Sequence, residues 1–100
     1  MTVTKTLDGD TLTIAADGWL DTITAPQFND EVQDLNGAKN VILDFENLDY
    51  ISSAGLRETV MLFRRVSGNG GDFSVRRAKK EVYNVFALTG FDKKFTIRQD

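Results

Sequence analysis

The chain has no cysteine, no histidine and only one proline among its 100 residues. Without cysteine there is no disulfide framework, no thiol nucleophile and no zinc ribbon. Without histidine there is no Ser-His-Asp triad and no imidazole general base working near neutral pH. No apolar run approaches the roughly 18 residues that a membrane-spanning helix needs. Met1 to Asp10 lacks the basic-then-apolar pattern of a secretion signal. These absences point to a cytoplasmic protein without a membrane partner. They leave few routes to catalysis, and a non-enzymatic role is expected.

What is present suffices for a packed core. Hydrophobic residues make up 41% of the chain and charged residues 27%, the balance of a globular domain rather than a disordered tail. The length suits one domain spanning residues 1–100. The formal net charge of −3 is unevenly spread. Residues 1–52 hold 2 Lys/Arg against 10 Asp/Glu, residues 53–70 hold 3 against 1, and residues 71–100 hold 7 against 4. An acidic first half and a mildly basic second half suit docking by charge, or merely unevenly solvated faces.

The order of elements follows from periodicity. Val3–Leu7 and Thr11–Ala15 alternate across the turn Asp8-Gly9-Asp10 and read as a β-hairpin. Thr24, Pro26 and Gln27 have the spacing of a helix start with a capping box. Phe28, Val32 and Leu35 then mark one helical face that Asn36-Gly37 ends. Asn40–Phe45 reads as a strand covered on both faces, and Glu46–Ser52 as a loop. Ala54–Val66 is a second helix, closed by Gly68-Asn69-Gly70-Gly71, and Phe73–Val75 is a strand. Val82, Val85, Phe86 and Leu88 mark a third helix before a last strand at Lys94–Arg98. The pattern β-β-α-β-α-β-α-β implies an α/β fold: a mixed β-sheet with helices packed on it.

Most candidate sites have a plain structural alternative. Asp44, Glu46 and Asp49 lack the spacing of a calcium loop and read as a solvated acidic loop. Arg76, Arg77, Lys79 and Lys80 have no interleaved aromatics in an acidic domain, so they read as an exposed helix start and no nucleic acid is expected. Trp19 reads as core in preference to an exposed anchor. The Gly68–Gly71 run lacks the Lys-Ser/Thr ending of a phosphate loop and is a turn; no cofactor is called for. Ser52 and Ser53 stand where a helix begins, with small residues after them. A helix start has unpaired N–H groups and a partial positive charge, and serine is a preferred cap there. Asp21 can cap its own turn.

The run Asp44-Phe45-Glu46-Asn47-Leu48-Asp49-Tyr50-Ile51-Ser52-Ser53-Ala54-Gly55-Leu56-Arg57 resembles the signature of STAS domains, specifically bacterial anti-sigma factor antagonists. Gly18-Trp19-Leu20-Asp21 is similar to that family's turn after the second strand. Ser74-Val75, the Val82–Gly90 helix and Phe91 are similar to its C-terminal segment. The resemblance implies binding to an anti-sigma factor that is also a Ser/Thr kinase, with release of a sigma factor. Phosphorylation of one serine would then separate the partners, and a Ser/Thr phosphatase would reverse it. Aligned on Gly55-Leu56, the acceptor falls on Ser53, with Ser52 as second choice where the family often has Asp. Asp21, Ser52, Ser53, Ala54, Gly55 and Leu56 are the implied partner-binding residues. The alternative is a STAS module that scaffolds a signalling complex, or senses a small molecule or nucleotide, with no sigma factor involved.

Overall fold

A computed structural model describes all 100 residues. The elements, in chain order, are β1 (Thr2–Asp8), β2 (Thr11–Leu20), α1 (Ala25–Glu31), β3 (Asn40–Asp44), β4 (Leu48–Ile51), α2 (Ser53–Gly68), β5 (Phe73–Arg76), α3 (Lys80–Leu88), a 3₁₀ turn at Phe91–Lys93 and β6 (Thr96–Ile97). The sheet runs β1-β2-β3-β5-β6, with β4 beside β2. Only β1 is antiparallel to its neighbour; the remaining pairs are parallel. The expected mixed α/β sheet with helices packed on it is the fold observed.

Strand β2 organises the molecule. Its first half, Thr11–Ala15, pairs with β3, and its last residues, Gly18–Leu20, pair with β4. The register shifts between Gly18 and Trp19, where Gly18 adopts φ 100°. That is a left-handed conformation available to glycine at little cost. The segment expected to be a loop therefore contains a strand. Within β4 Leu48 and Ile51 are buried while Asp49 and Tyr50 are exposed, so it has no two-residue alternation to read.

Burial alternates along the central strands. Leu12, Val41 and Phe73 form one buried row, and Ile14, Leu43 and Val75 the next. Phe28, Leu56, Val60, Val66, Val82 and Phe86 pack onto this face from the helical layer. Ile42, between two buried neighbours, is only half-buried. So β3 is not covered on both faces, contrary to expectation; it alternates like β2 and β5.

Two helices differ in detail from expectation. α1 stops at Glu31, before Leu35, although Phe28 and Val32 are buried as expected. The capping box is not formed. The Thr24 hydroxyl donates to the Trp19 carbonyl (2.7 Å), and Gln27 Nε2 donates to the Met1 carbonyl (3.1 Å). In α3, Val82 and Phe86 face the core, but Leu88 is 87% exposed because it lies in the last turn, off that stripe. The last strand keeps only Thr96 and Ile97.

Candidate functional site

The start of α2 is fixed by close packing. A Cβ on Gly55 would lie 2.5 Å from the Leu20 carbonyl oxygen, 2.7 Å from the Leu20 side chain and 2.8 Å from Ile51 Cγ1. Glycine lets the helix approach the ends of β2 and β4 at a distance no side chain permits. The Ser52 N–H donates to the Leu20 carbonyl (2.9 Å), tying the helix entry to β2. Ser52 is the cap: its Oγ accepts from Gly55 N at a long 3.4 Å, and its carbonyl accepts from Leu56 N at 2.9 Å.

Ser53 is placed differently. It is the first residue of α2 and is exposed, and its hydroxyl has no hydrogen-bond partner within the chain. The two serines thus divide the roles, one spent on the helix and one left free. Of the other sequence candidates, Ala54 is half-buried while Gly55 and Leu56 face inward.

Asp21 lies on the turn that leads from β2 to α1. Its Oδ1 accepts from Ile23 N (2.9 Å) and Thr24 N (3.0 Å), whereas Oδ2 accepts nothing. The Thr24 backbone hydrogen bond, followed by that from Ile23, holds its carboxyl below the usual carboxylate range despite some desolvation. The turn-capping role is thus realised, and it presents Ile23 with 86% of its surface exposed.

Trp19 is not in the core. It is 58% exposed, and its ring packs on Tyr50 with centroids 5.1 Å apart. Leu20 takes the buried face of β2, so Trp19 points the other way and meets its register partner on β4. A groove of about 280 Å³ opens beside Ser53. Leu56, Val60, Met61 and Phe91 give it apolar walls, and Arg57 and Arg64 stand at its edges. Neither Ile23 nor the groove has a sequence motif; a lone isoleucine inside a polar turn is the one local signal.

The acidic loop is not simply solvated. Asp44 is only 6% exposed and pairs with Arg77 through both carboxylate oxygens, with Arg76 3.6 Å away. Arg77 reaches it from a left-handed backbone (φ 56°) and also binds Glu46 at 3.0 Å. Burial alone would raise the Asp44 carboxyl. The Arg77 hydrogen bond, the Glu46 N–H and the two guanidinium charges outweigh it and lower it instead. Lys79 pairs with Asp49. The basic run expected to be an exposed helix start is therefore largely the counter-charge of the acidic loop.

The STAS domain model matches residues 2–100. The chain belongs to the STAS-domain family. Over 55 residues this STAS domain is 38% identical to BtrV of Bordetella bronchiseptica, named a candidate anti-sigma factor antagonist. That match takes in 55% of the chain and 47% of the relative, so it spans about half the relative's length. A candidate anti-sigma factor antagonist from Thermotoga maritima has the same fold, with a TM-score of 0.90 at 22% identity over 98% of this chain and 86% of that one. The anti-sigma factor antagonist SpoIIAA shares the fold in an unphosphorylated form and, from Bacillus, in a phosphorylated form. The unphosphorylated form gives a TM-score of 0.72 at 18% identity, covering 87% of this chain and 83% of that one. The phosphorylated form gives 0.76 at 17% identity, covering 96% and 90%. In this STAS domain the turn bearing Asp21 and the start of α2 bearing Ser53 meet at the C-terminal ends of β2 and β4, held by the Leu20–Ser52 hydrogen bond and by Gly55.

Proposed function

We propose that this STAS domain is an anti-sigma factor antagonist switched by phosphorylation of Ser53. Unmodified, it binds an anti-sigma factor that is also a Ser/Thr kinase and so frees a sigma factor. In the modification the Ser53 hydroxyl oxygen takes the γ-phosphoryl group of ATP, ADP leaves, and the hydroxyl proton passes to a base of the kinase. A phosphatase returns serine and inorganic phosphate by hydrolysis. The protein supplies a substrate hydroxyl and a docking surface, and the catalysis belongs to its partners.

The observation that carries this reading is the division of labour between the two serines. Ser52 is half-buried and engaged as the cap, while Ser53 is exposed with a free hydroxyl. The exposed Ile23 and the apolar groove give a partner something to bury nearby. The phosphorylated state of SpoIIAA supports it by analogy. Phosphate at the first turn of a helix is favoured by the helix's own N–H groups. It therefore acts on the complex and not on the fold, adding about −1.5 to −2 charges where the partner must approach.

The test uses the purified chain, the anti-sigma kinase and ATP. Mass spectrometry should place the phosphate on Ser53, and Ser53→Ala should abolish labelling. Ser53→Asp should lose binding to the anti-sigma factor and Ser53→Ala should keep it. A loss of about tenfold corresponds to about 1.4 kcal/mol. Labelling elsewhere, or equal binding by both variants, would overturn the reading.

A further inference from the structure

We propose that Arg57 receives the phosphate of Ser53, so that modification neutralises the adjoining groove from within the chain. The inference rests on reading Ser53 as the modified residue. Ser53 and Arg57 are four residues apart on α2, a spacing that places two side chains on one helix face, one turn apart. Both are exposed and both line the same groove.

Arg57 is also uncommitted. The chain's ion pairs engage Arg76, Arg77 and Lys79, and none includes Arg57. Glu58 is the one carboxylate of α2, and it accepts a hydrogen bond from Asn29 Nδ2 (2.8 Å) on α1. Arg65 is turned to the Val32 carbonyl. No ion pair or side-chain hydrogen bond within the chain engages the Arg57 guanidinium. Its planar fork of N–H donors matches phosphate oxygens and binds them two at a time.

The consequence is a switch with two coupled effects. In the unmodified protein the groove offers apolar walls with two unpaired guanidinium groups, Arg57 and Arg64, at its edges. That combination suits an apolar side chain flanked by carboxylates on the partner. Phosphorylation adds a dianion at the mouth and also withdraws Arg57 from any partner carboxylate. The groove changes from cationic to nearly neutral.

The test installs phosphoserine at position 53 genetically and follows the phosphate by ³¹P NMR as pH is varied. Three proteins are compared: the otherwise unchanged chain, Arg57→Gln and Arg64→Gln. The helix N-terminus acts equally in all three, so differences report the side chains. In the unchanged chain the second phosphate ionisation should fall below its ordinary value of about 6. Arg57→Gln should raise it by about 0.15–0.4 pH unit, as expected for a charge pair one helical turn apart. Arg64→Gln, too far along the helix to reach, should leave it unchanged. Equal titration in the unchanged chain and Arg57→Gln, or an equal shift in both variants, overturns the proposal. Because the phosphate is installed and not transferred, this outcome is independent of whether the kinase modifies Ser53.

Discussion

At the scale of single residues, neighbours in sequence have separate fates. Ser52→Ala removes a cap, a loss of about 0.5–2 kcal/mol; the 3.4 Å bond places it at the low end. Ser53→Ala removes an exposed hydroxyl with no partner and should stay within about 0.5 kcal/mol of the parent. Urea denaturation of the two variants checks the contrast. Gly55→Ala gains up to about 1 kcal/mol of helix propensity but drives a methyl group into the Leu20 carbonyl and two side chains. Backbone cannot yield as a flexible side chain would, and overpacking costs about 1–3 kcal/mol. The urea midpoint should fall.

At the scale of elements, β4 and α3 show what periodicity misses. Trp19 and Tyr50 face outward as a cross-strand pair between β2 and β4. Trp19 is the one tryptophan of the chain, so its fluorescence reports this edge alone. Acrylamide should quench it readily in the folded protein, where a core tryptophan would be shielded. Trp19→Ala should cost about 0.5–1.5 kcal/mol from the aromatic pair, well short of the roughly 3–5 kcal/mol of a buried aromatic. Within α3 the same contrast holds. Phe86→Ala opens a cavity and should cost that larger amount. Leu88→Ser, at a position 87% exposed, should be nearly neutral. Thermal or urea unfolding of the pair distinguishes a helix with one buried stripe from one buried through its last turn.

At the scale of the whole molecule, the uneven charge becomes an interaction. Asp44, Glu46 and Asp49 from the acidic half meet Arg76, Arg77 and Lys79 from the basic half. The buried part of the pH dependence follows from Asp44, whose carboxyl is depressed in the folded state. Its contribution is complete above the unfolded value of about 4 and is lost as pH falls through the lower folded value. Asp44→Asn should therefore destabilise the protein at pH 7, with the gap to the parent closing in more acidic solution. Urea midpoints measured at pH 7 and at pH 3 test this; a constant gap would mean that the loss comes from packing and not from charge.

The sequence by itself determined what depends on near neighbours. The β1–β2 hairpin is set by alternation around Gly9, the buried pairs Phe28/Val32 and Val82/Phe86 by helical spacing, and the start of α2 by Ser52-Ser53-Ala54-Gly55. Tertiary structure decided what depends on residues far apart in the chain. β4 is a strand because the end of β2 offers it hydrogen bonds, and α1 begins without its capping box because Thr24 and Gln27 find Trp19 and Met1 instead. Trp19 is outside because Leu20 takes the core, and Asp44 is neutralised by an arginine 33 residues away. Local spacing fixes which face of an element is apolar. Which partner fills each hydrogen bond or charge is settled only when the elements pack.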